Sequence, residues 1–272
     1  MTITPPFAYY GGKTTLATTI ADLLPPHDHY VEPFAGSLAV LLAKPATKWE
    51  TVNDLDGDLV TFWCVLRDRP EELARAAMLT PHSRAELDVA ADLDAPNDLE
   101  RARRVWVRLT QSRSHSMKQS GWKHRRNYEG RPVSQPDNLV AFVSRMEAAA
   151  RRLHRVSLEC REACEVIREY GAEPTVCLYV YPPYLGSTRA TNYRHELASD
   201  QQHRDLADAL NACNATVVLS GYAAPLYEEL FDGWHCTRLK APTAMSGDTD
   251  RVEVLWSNRP LGEPTLFEGI GA

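Results

Sequence analysis

The run His29-Tyr30-Val31-Glu32-Pro33-Phe34-Ala35-Gly36-Ser37, with Thr51-Val52-Asn53-Asp54-Leu55-Asp56-Gly57-Asp58 behind it, carries the architecture. Residues 29–33 are short, apolar and flanked by turn residues, so they read as a buried strand. Phe34-Ala35-Gly36-Ser37 is a tight turn, and residues 38–43 begin a helix. Residues 51–53 read as a second strand ending in an acidic run, with a helix over 59–67 after it. Strand, glycine turn, helix, strand and acidic end make a βαβ unit of a doubly wound α/β sheet. Gly36 has no side chain, so a ligand can approach its backbone closely. Asp54 follows roughly 20 residues after the turn begins, a spacing that suits a carboxylate holding ribose hydroxyls. These residues alone leave open a turn that serves packing only.

Outward from this unit, residues 14–24 read as an amphipathic helix stopped by Pro25-Pro26. Gly11-Gly12-Lys13-Thr14 invites a phosphate-loop reading and fails it, because Phe7 stands where the pattern needs glycine and too little chain precedes the loop to supply a strand. From Asp68 to about Ala172 strand signals are nearly absent. Helices are expected over 71–78, 98–110 and 138–155, with a polar, basic, turn-rich stretch over 111–136. The sheet resumes with an apolar strand over 176–180 that runs into Tyr181-Pro182-Pro183-Tyr184. A helix over 201–213, a strand over 215–220, a helix over 224–231 and an antiparallel pair over 234–239 and 252–258 complete the chain.

The composition bounds the function. A chain of 272 residues with 44% hydrophobic and 24% charged residues matches one large soluble domain with an insert. A net charge of -6 argues against a surface basic all over, yet leaves room for one basic stripe. The 6 cysteines form no C-x-x-C pair and read as reduced packing residues, and the histidines show no ligand spacing, so no metal is expected. The N-terminus lacks a basic segment followed by an apolar run, and no apolar stretch approaches the ~20 residues of a membrane span. A cytoplasmic protein without membrane attachment is the expectation.

Two prolines after a strand deny the backbone its N–H groups and fix φ. That frees the Pro182 carbonyl to face a cleft, while Tyr184 offers a ring on which a base can stack. A generic proline turn explains the tetrapeptide equally well when it is taken alone.

The order of the blocks is more specific. Phe7-Ala8-Tyr9-Tyr10-Gly11-Gly12-Lys13, Val31-Glu32-Pro33-Phe34-Ala35-Gly36-Ser37, Asn53-Asp54-Leu55-Asp56 and Tyr181-Pro182-Pro183-Tyr184-Leu185-Gly186 follow one another. Leu219-Ser220-Gly221-Tyr222 and Glu253-Val254-Leu255-Trp256-Ser257-Asn258 complete the set. In these blocks the chain resembles the Dam-like (D12 class) adenine-N6 DNA methyltransferases, many of them phage-borne, over nearly its full length and least in the insert. The resemblance implies a Rossmann-like sheet of seven mostly parallel strands, with S-adenosylmethionine (SAM) as cofactor and double-stranded DNA as partner. It implies a catalytic domain over 1–67 and 172–272, and a helical target-recognition insert over 68–171. It places Tyr9, Lys13, Phe34, Gly36, Asp54 and Tyr181 around SAM, and makes Tyr181, Pro182, Pro183 and Tyr184 the catalytic tetrapeptide. The target adenine would be flipped into this pocket, and its N6 would attack the methyl group directly. A place in restriction-modification or phage self-protection goes with that reading.

The tetrapeptide departs from the family, which begins it with Asp where this chain has Tyr181. An acceptor side chain there engages the amino group of adenine, whose lone pair is otherwise delocalised into the ring. A tyrosine oxygen can accept, but it lies further from the backbone and brings a ring with it. Losing such a transition-state hydrogen bond costs about 2–4 kcal/mol by analogy with oxyanion holes. Three readings of Tyr181 stand: a silenced pocket that binds SAM and DNA as a decoy or regulator, an active enzyme with a rearranged acceptor, or a changed substrate such as RNA. A second departure is Leu38, where many relatives carry glycine; little is expected to depend on it.

In the insert, Arg101, Arg104 and Arg108 share one face of the 98–110 helix, with Arg103 beside them, and are expected to meet phosphates. The DNA-facing loop is expected to use Arg113, Lys118, Trp122, Lys123, Arg125, Arg126 and Tyr128.

Overall fold

The computed structural model describes residues 2–124, 133–183, 194, 197, 199–240 and 252–262. Seven strands form one sheet: β1 His29–Glu32, β2 Trp49–Asn53, β3 Val156–Glu159, β4 Val176–Val180, β5 Thr216–Tyr222, β6 His235–Lys240 and β7 Val252–Ser257. Their order is β3-β2-β1-β4-β5-β7-β6. The first five run parallel, and β7 and β6 close the edge antiparallel. From β1 the chain moves outward to β2, whereas β4 lies on its other side. The switch in strand order therefore falls between β1 and β4, and ligands of open α/β sheets bind outside the carboxyl ends of such neighbours. The Gly36 turn leaves β1 there, and Tyr181 leaves β4 there.

Strand residues alternate between two apolar layers, as a period of two dictates. Tyr30, Cys177, Tyr179 and Val218 face one layer, together with α1 Ala17–Leu23, α2 Ala39–Ala43 and α3 Gly57–Asp68. Val31, Leu178, Val180 and Val217 face the other, with α9 Ala163–Tyr170, α10 Asp200–Asn211 and α11 Pro225–Leu230. Buried on both faces, β4 is apolar along its length, as a central parallel strand must be.

The first layer also takes in the helices of the insert: α4 Pro70–Met78, α5 Arg84–Val89, which the sequence reading did not expect, α6 Asp98–Gln111, α7 Gln135–Val143 and α8 Met146–Leu153. Leu73, Trp106, Leu139 and Met146 join Phe62 and Leu66 of α3 in one cluster, so these helices share the core of the sheet. The insert expected over 68–171 is too long at its C-terminal end. Val156–Glu159 pairs in parallel with β2, and α9 lies on the opposite layer. A four-residue edge strand with Ser157 and Glu159 in it carries too little periodicity to be seen in sequence.

Other expectations need correction. The single helix expected over 138–155 is two, broken at Ser144-Arg145, where Ser144 Oγ donates back to Ala141 O at 2.9 Å and Arg145 reaches Pro5 O at 3.2 Å. Residues 14–16 are a turn ahead of α1. The α6 arginines face their own fold. Arg108 is buried, its guanidinium donating to Ala90 O, Ala91 O and Met117 O at 2.7–3.1 Å. Arg103 pairs with Glu86 and Glu100, Arg104 with Glu100, and Arg101 lies 3.9 Å from Asp58. Carboxylates and loop carbonyls close to α6 hold the donors of Arg103, Arg104 and Arg108. Cys160 and Cys236 are exposed rather than packed.

Candidate active site

The first turn after β1 is built by bonds from its neighbours. Asn53, ending β2, accepts Ala35 N through its backbone carbonyl at 2.8 Å, and its side chain donates to Pro33 O at 3.0 Å and Arg161 O at 2.9 Å. Asp54 comes next. Its Oδ2 accepts Gly36 N at 2.9 Å and its Oδ1 accepts Asp56 N at 3.0 Å, so the carboxylate clamps the glycine turn to the acidic turn. Asp56 then caps α3, accepting Asp58 N and Leu59 N. From α3, Trp63 donates its indole N–H to Gly36 O at 3.1 Å.

Gly36 has φ +47, and the Tyr9 ring lies against it: a Cβ there would come 3.2 Å from Tyr9 Cε1. Gly12 is equally constrained, since a Cβ would stand 2.9 Å from Tyr9 O, to which its own N–H bonds at 2.9 Å. The N-terminal loop thus folds Tyr9 over the turn. Among the described residues no strand precedes it, and Lys13 turns inward to Glu253 and Tyr181, an arrangement unlike a phosphate loop.

These elements enclose a cavity of about 460 Å³. Of the expected site residues, Tyr9, Lys13, Phe34, Gly36, Asp54, Tyr181 and Pro183 line it. Pro182 is buried and is not among the lining residues. Tyr184 lies outside the described residues, as do Arg125, Arg126 and Tyr128. Sequence reading missed Glu32, Tyr179, Asp56, Arg194 and Gln202, which also line the cavity. One signal was available for Tyr179: two residues before Tyr181 on a strand, it points to the same face. Arg194 pairs with Asp56 at 3.2 Å and Asp58 at 2.5 Å across the cavity mouth.

The polar end of the cavity lies against β1 and β4. Glu32 is fully buried, accepting Tyr30 Oη at 2.6 Å and Leu41 N at 2.9 Å, and burial pushes its pKa up to about 7. Among the described residues the buried Tyr179 hydroxyl meets no partner at full hydrogen-bond geometry, and burial raises its pKa far above the usual phenol range. Tyr181 donates its proton to Gly11 O at 2.8 Å and accepts from Lys13 Nζ at 3.1 Å. A carbonyl can only accept and an ammonium can only donate, so this assignment is forced. Towards any further N–H, the Tyr181 oxygen offers acceptance alone.

The residues present fit SAM. Tyr9 and Phe34 offer aromatic surface for an adenine, and the Asp54 carboxylate lines the cavity as an acceptor that a ribose diol could meet. Glu32, Lys13 and the Tyr179 hydroxyl supply a carboxyl, an ammonium and a hydroxyl for a zwitterionic amino-acid end. No group of three or more His, Cys, Asp or Glu among the described residues is arranged to hold a metal ion, and no described helix is long and apolar enough to cross a membrane.

Residues 111–124 form a hairpin with a bridge between Ser112 and Trp122, and with Met117 buried beneath it. The expected loop thus has more internal structure than its composition suggests. Arg113 is exposed, its Nε on Trp122 O at 3.2 Å. Trp122 is stacked between His82 and His124, at 4.6 and 5.2 Å between centroids. Lys118 is half-buried, and Lys123 turns its ammonium onto His115 Nε2 at 2.9 Å, which makes it a brace of the hairpin. The hairpin touches the cofactor side as well, since Tyr10 N donates to His115 O at 2.7 Å.

Comparison with known proteins agrees with this geometry. The chain is 26% identical over 248 residues to the type II methyltransferase M1.LlaDCHI of Lactococcus lactis subsp. cremoris, covering 85% of each protein. The model of the D12 class N6 adenine-specific DNA methyltransferases matches residues 9–245. With strands β1 to β6, the glycine turn and the end of β4 inside that span, the chain belongs to the D12 class N6 adenine-specific DNA methyltransferases, whose methyl donor is S-adenosylmethionine.

Proposed function

We propose that this chain methylates adenine N6 at specific sites in double-stranded DNA, with the Tyr181 oxygen as the acceptor for the amino group. The observation that carries this reading is the fixed polarity of that oxygen: its proton goes to Gly11 and Lys13 donates to it. An amino N–H entering the cavity therefore meets an acceptor. The Pro182 carbonyl is the second acceptor of the proposal, and Tyr184 its stacking surface.

SAM supplies an activated methyl group on its sulfonium. The protein's part is positioning. Tyr9 and Phe34 hold the cofactor's base, Asp54 its ribose, and Gly36 lets it approach the backbone. Lys13, Glu32 and Tyr179 fix its amino-acid end. On the DNA side, Arg113, Lys118 and Trp122 of the hairpin meet the duplex, and Arg125, Arg126 and Tyr128, which follow them in sequence, are proposed as further contacts to it. The type II name of the Lactococcus relative supports a restriction-modification setting. Neither comparison lends support to a silent decoy.

The test is methyl transfer from labelled SAM to unmethylated genomic DNA by the parent, Tyr181→Phe and Tyr181→Asp, followed by nucleoside analysis. The parent is expected to give N6-methyladenine, and Tyr181→Phe to fall ~10²–10³-fold, the effect of losing one transition-state hydrogen bond. Product from Tyr181→Asp alone overturns the assignment of Tyr181.

A further inference from the structure

Glu253 lies on β7 with its carboxylate buried, its side chain 2% exposed, and it does not line the cavity. Both oxygens are engaged. Oε1 accepts from Ser220 Oγ at 2.6 Å, and Oε2 receives the Lys13 ammonium at 3.0 Å. Lys13 passes the connection on, donating to Tyr181 at 3.1 Å with its charge 4.2 Å from the centre of the same ring. A hydrogen-bonded series thus runs from Ser220 on β5, through β7 and the N-terminal loop, to the end of β4.

We propose that Glu253 is a positioning residue that keeps Lys13 charged and in place, so that Lys13 fixes the Tyr181 oxygen at the cavity wall. The proposal rests on the reading of Tyr181 as the acceptor for the amino group. A buried ammonium is tolerated only when a carboxylate answers it. Around Lys13, β4 presents the Tyr179 and Tyr181 phenols, β5 presents Ser220 and the Tyr222 ring at 5.6 Å, and β7 presents Glu253. Of these groups Glu253 is the carboxylate, and it forms the ion pair with the Lys13 ammonium. Burial lowers the pKa of Lys13, and Glu253 works against that shift. With the carboxylate made neutral, its opposition to burial is lost, Lys13 gives up its proton at a lower pH, and the donation that holds Tyr181 is weakened.

The experiment follows the Lys13 ammonium by NMR of ¹³C-labelled full-length protein, assigned with Lys13→Arg, in the parent, Glu253→Gln and Glu253→Asp. Methyl transfer is recorded against pH in the same three proteins. In Glu253→Gln the Lys13 titration is expected to move down by about one pH unit or more, a tenfold change in protonation at a given pH. The alkaline fall in methyl transfer should move with it. Glu253→Asp, with the carboxylate withdrawn by one methylene, should give a smaller shift of the same sign, and it carries the test alone if the Gln variant fails to fold. An unmoved Lys13 titration overturns the proposal, and so does a moved titration with an unmoved pH profile. If none of the three methylates DNA, the function proposed above fails, and the Lys13 titration still decides whether Glu253 governs that charge.

Discussion

Leu38 holds a backbone conformation that its side chain does not favour. Its φ is 55 and its ψ 29, in the left-handed region, at the entry to α2. The side chain is nonetheless fully buried in the first apolar layer. Two opposing terms set the outcome of replacing it. Glycine would relieve left-handed strain of roughly 1–2 kcal/mol. It would also delete a core leucine, which costs about 2.7–5 kcal/mol in comparable cores, and add chain flexibility of ~0.5–1 kcal/mol. The buried side chain wins. Leu38→Gly should lose about 3 kcal/mol and melt on the order of 6–12 °C lower. Leu38→Ala keeps the strain and loses the side chain, so it should be less stable than Leu38→Gly by about 1 kcal/mol. That order reverses the usual ranking of alanine above glycine. Urea unfolding of the three proteins measures it, with calorimetry of SAM binding as the control. Affinity should stay near the parent's, because Leu38 does not line the cavity. An alanine variant more stable than the glycine variant refutes the reasoning about backbone strain.

Gly36→Ala places a methyl 3.2 Å from the Tyr9 ring at a φ of +47, so Tyr9 must move off the turn. SAM affinity by calorimetry should drop roughly tenfold or more, taking the loss of one well-placed aromatic contact as about 1.4 kcal/mol; unchanged affinity removes Tyr9 from the cofactor site. Glu32, with its pKa raised from 4.5 to about 7, keeps in the folded state a proton that the unfolded chain has released. Its contribution to stability is full below pH 4.5 and is lost as pH rises through about 7, a swing of about 3 kcal/mol. Glu32→Gln should flatten the fall in unfolding free energy between pH 5 and 8, and an unaltered slope counts against a buried, protonated Glu32. Arg108→Lys keeps the charge but cannot serve three carbonyls at once, so it should lower the melting temperature while the salt dependence of DNA affinity stays at the parent's slope. A reduced slope would return Arg108 to the DNA surface.

The βαβ unit was legible because its signals are local. An apolar run, a glycine turn and an acidic strand end sit within about thirty residues, the size of one such unit. The continuous burial of Val176–Val180 follows from its composition in the same way. What escaped depends on contacts made far along the chain. Val156–Glu159 becomes a strand because β2 offers it an edge. The guanidinium of Arg108 is captured by carbonyls of Ala90, Ala91 and Met117, and nothing within α6 announces them. Leu38 looked inconsequential because sequence does not display the sign of φ. At the site, Lys13 and Tyr181 were both singled out, but their bond joins residues 168 positions apart. The same distance hid Glu253 as the partner of Lys13, 240 positions on.

The bond from Tyr10 N to His115 O makes the N-terminal loop and the hairpin one mechanical piece. Tyr9 and Lys13 face the cavity from one end of that piece, and Trp122 and Arg113 stand at the other. Through this bond, a ligand that shifts the hairpin would pull on the wall of the cavity. Thermodynamic linkage then requires reciprocity: the factor by which duplex DNA changes the affinity for SAM is the factor by which SAM changes the affinity for DNA. On the proposed function, occupancy of the cavity by the methyl donor would then be read out in the strength of DNA binding.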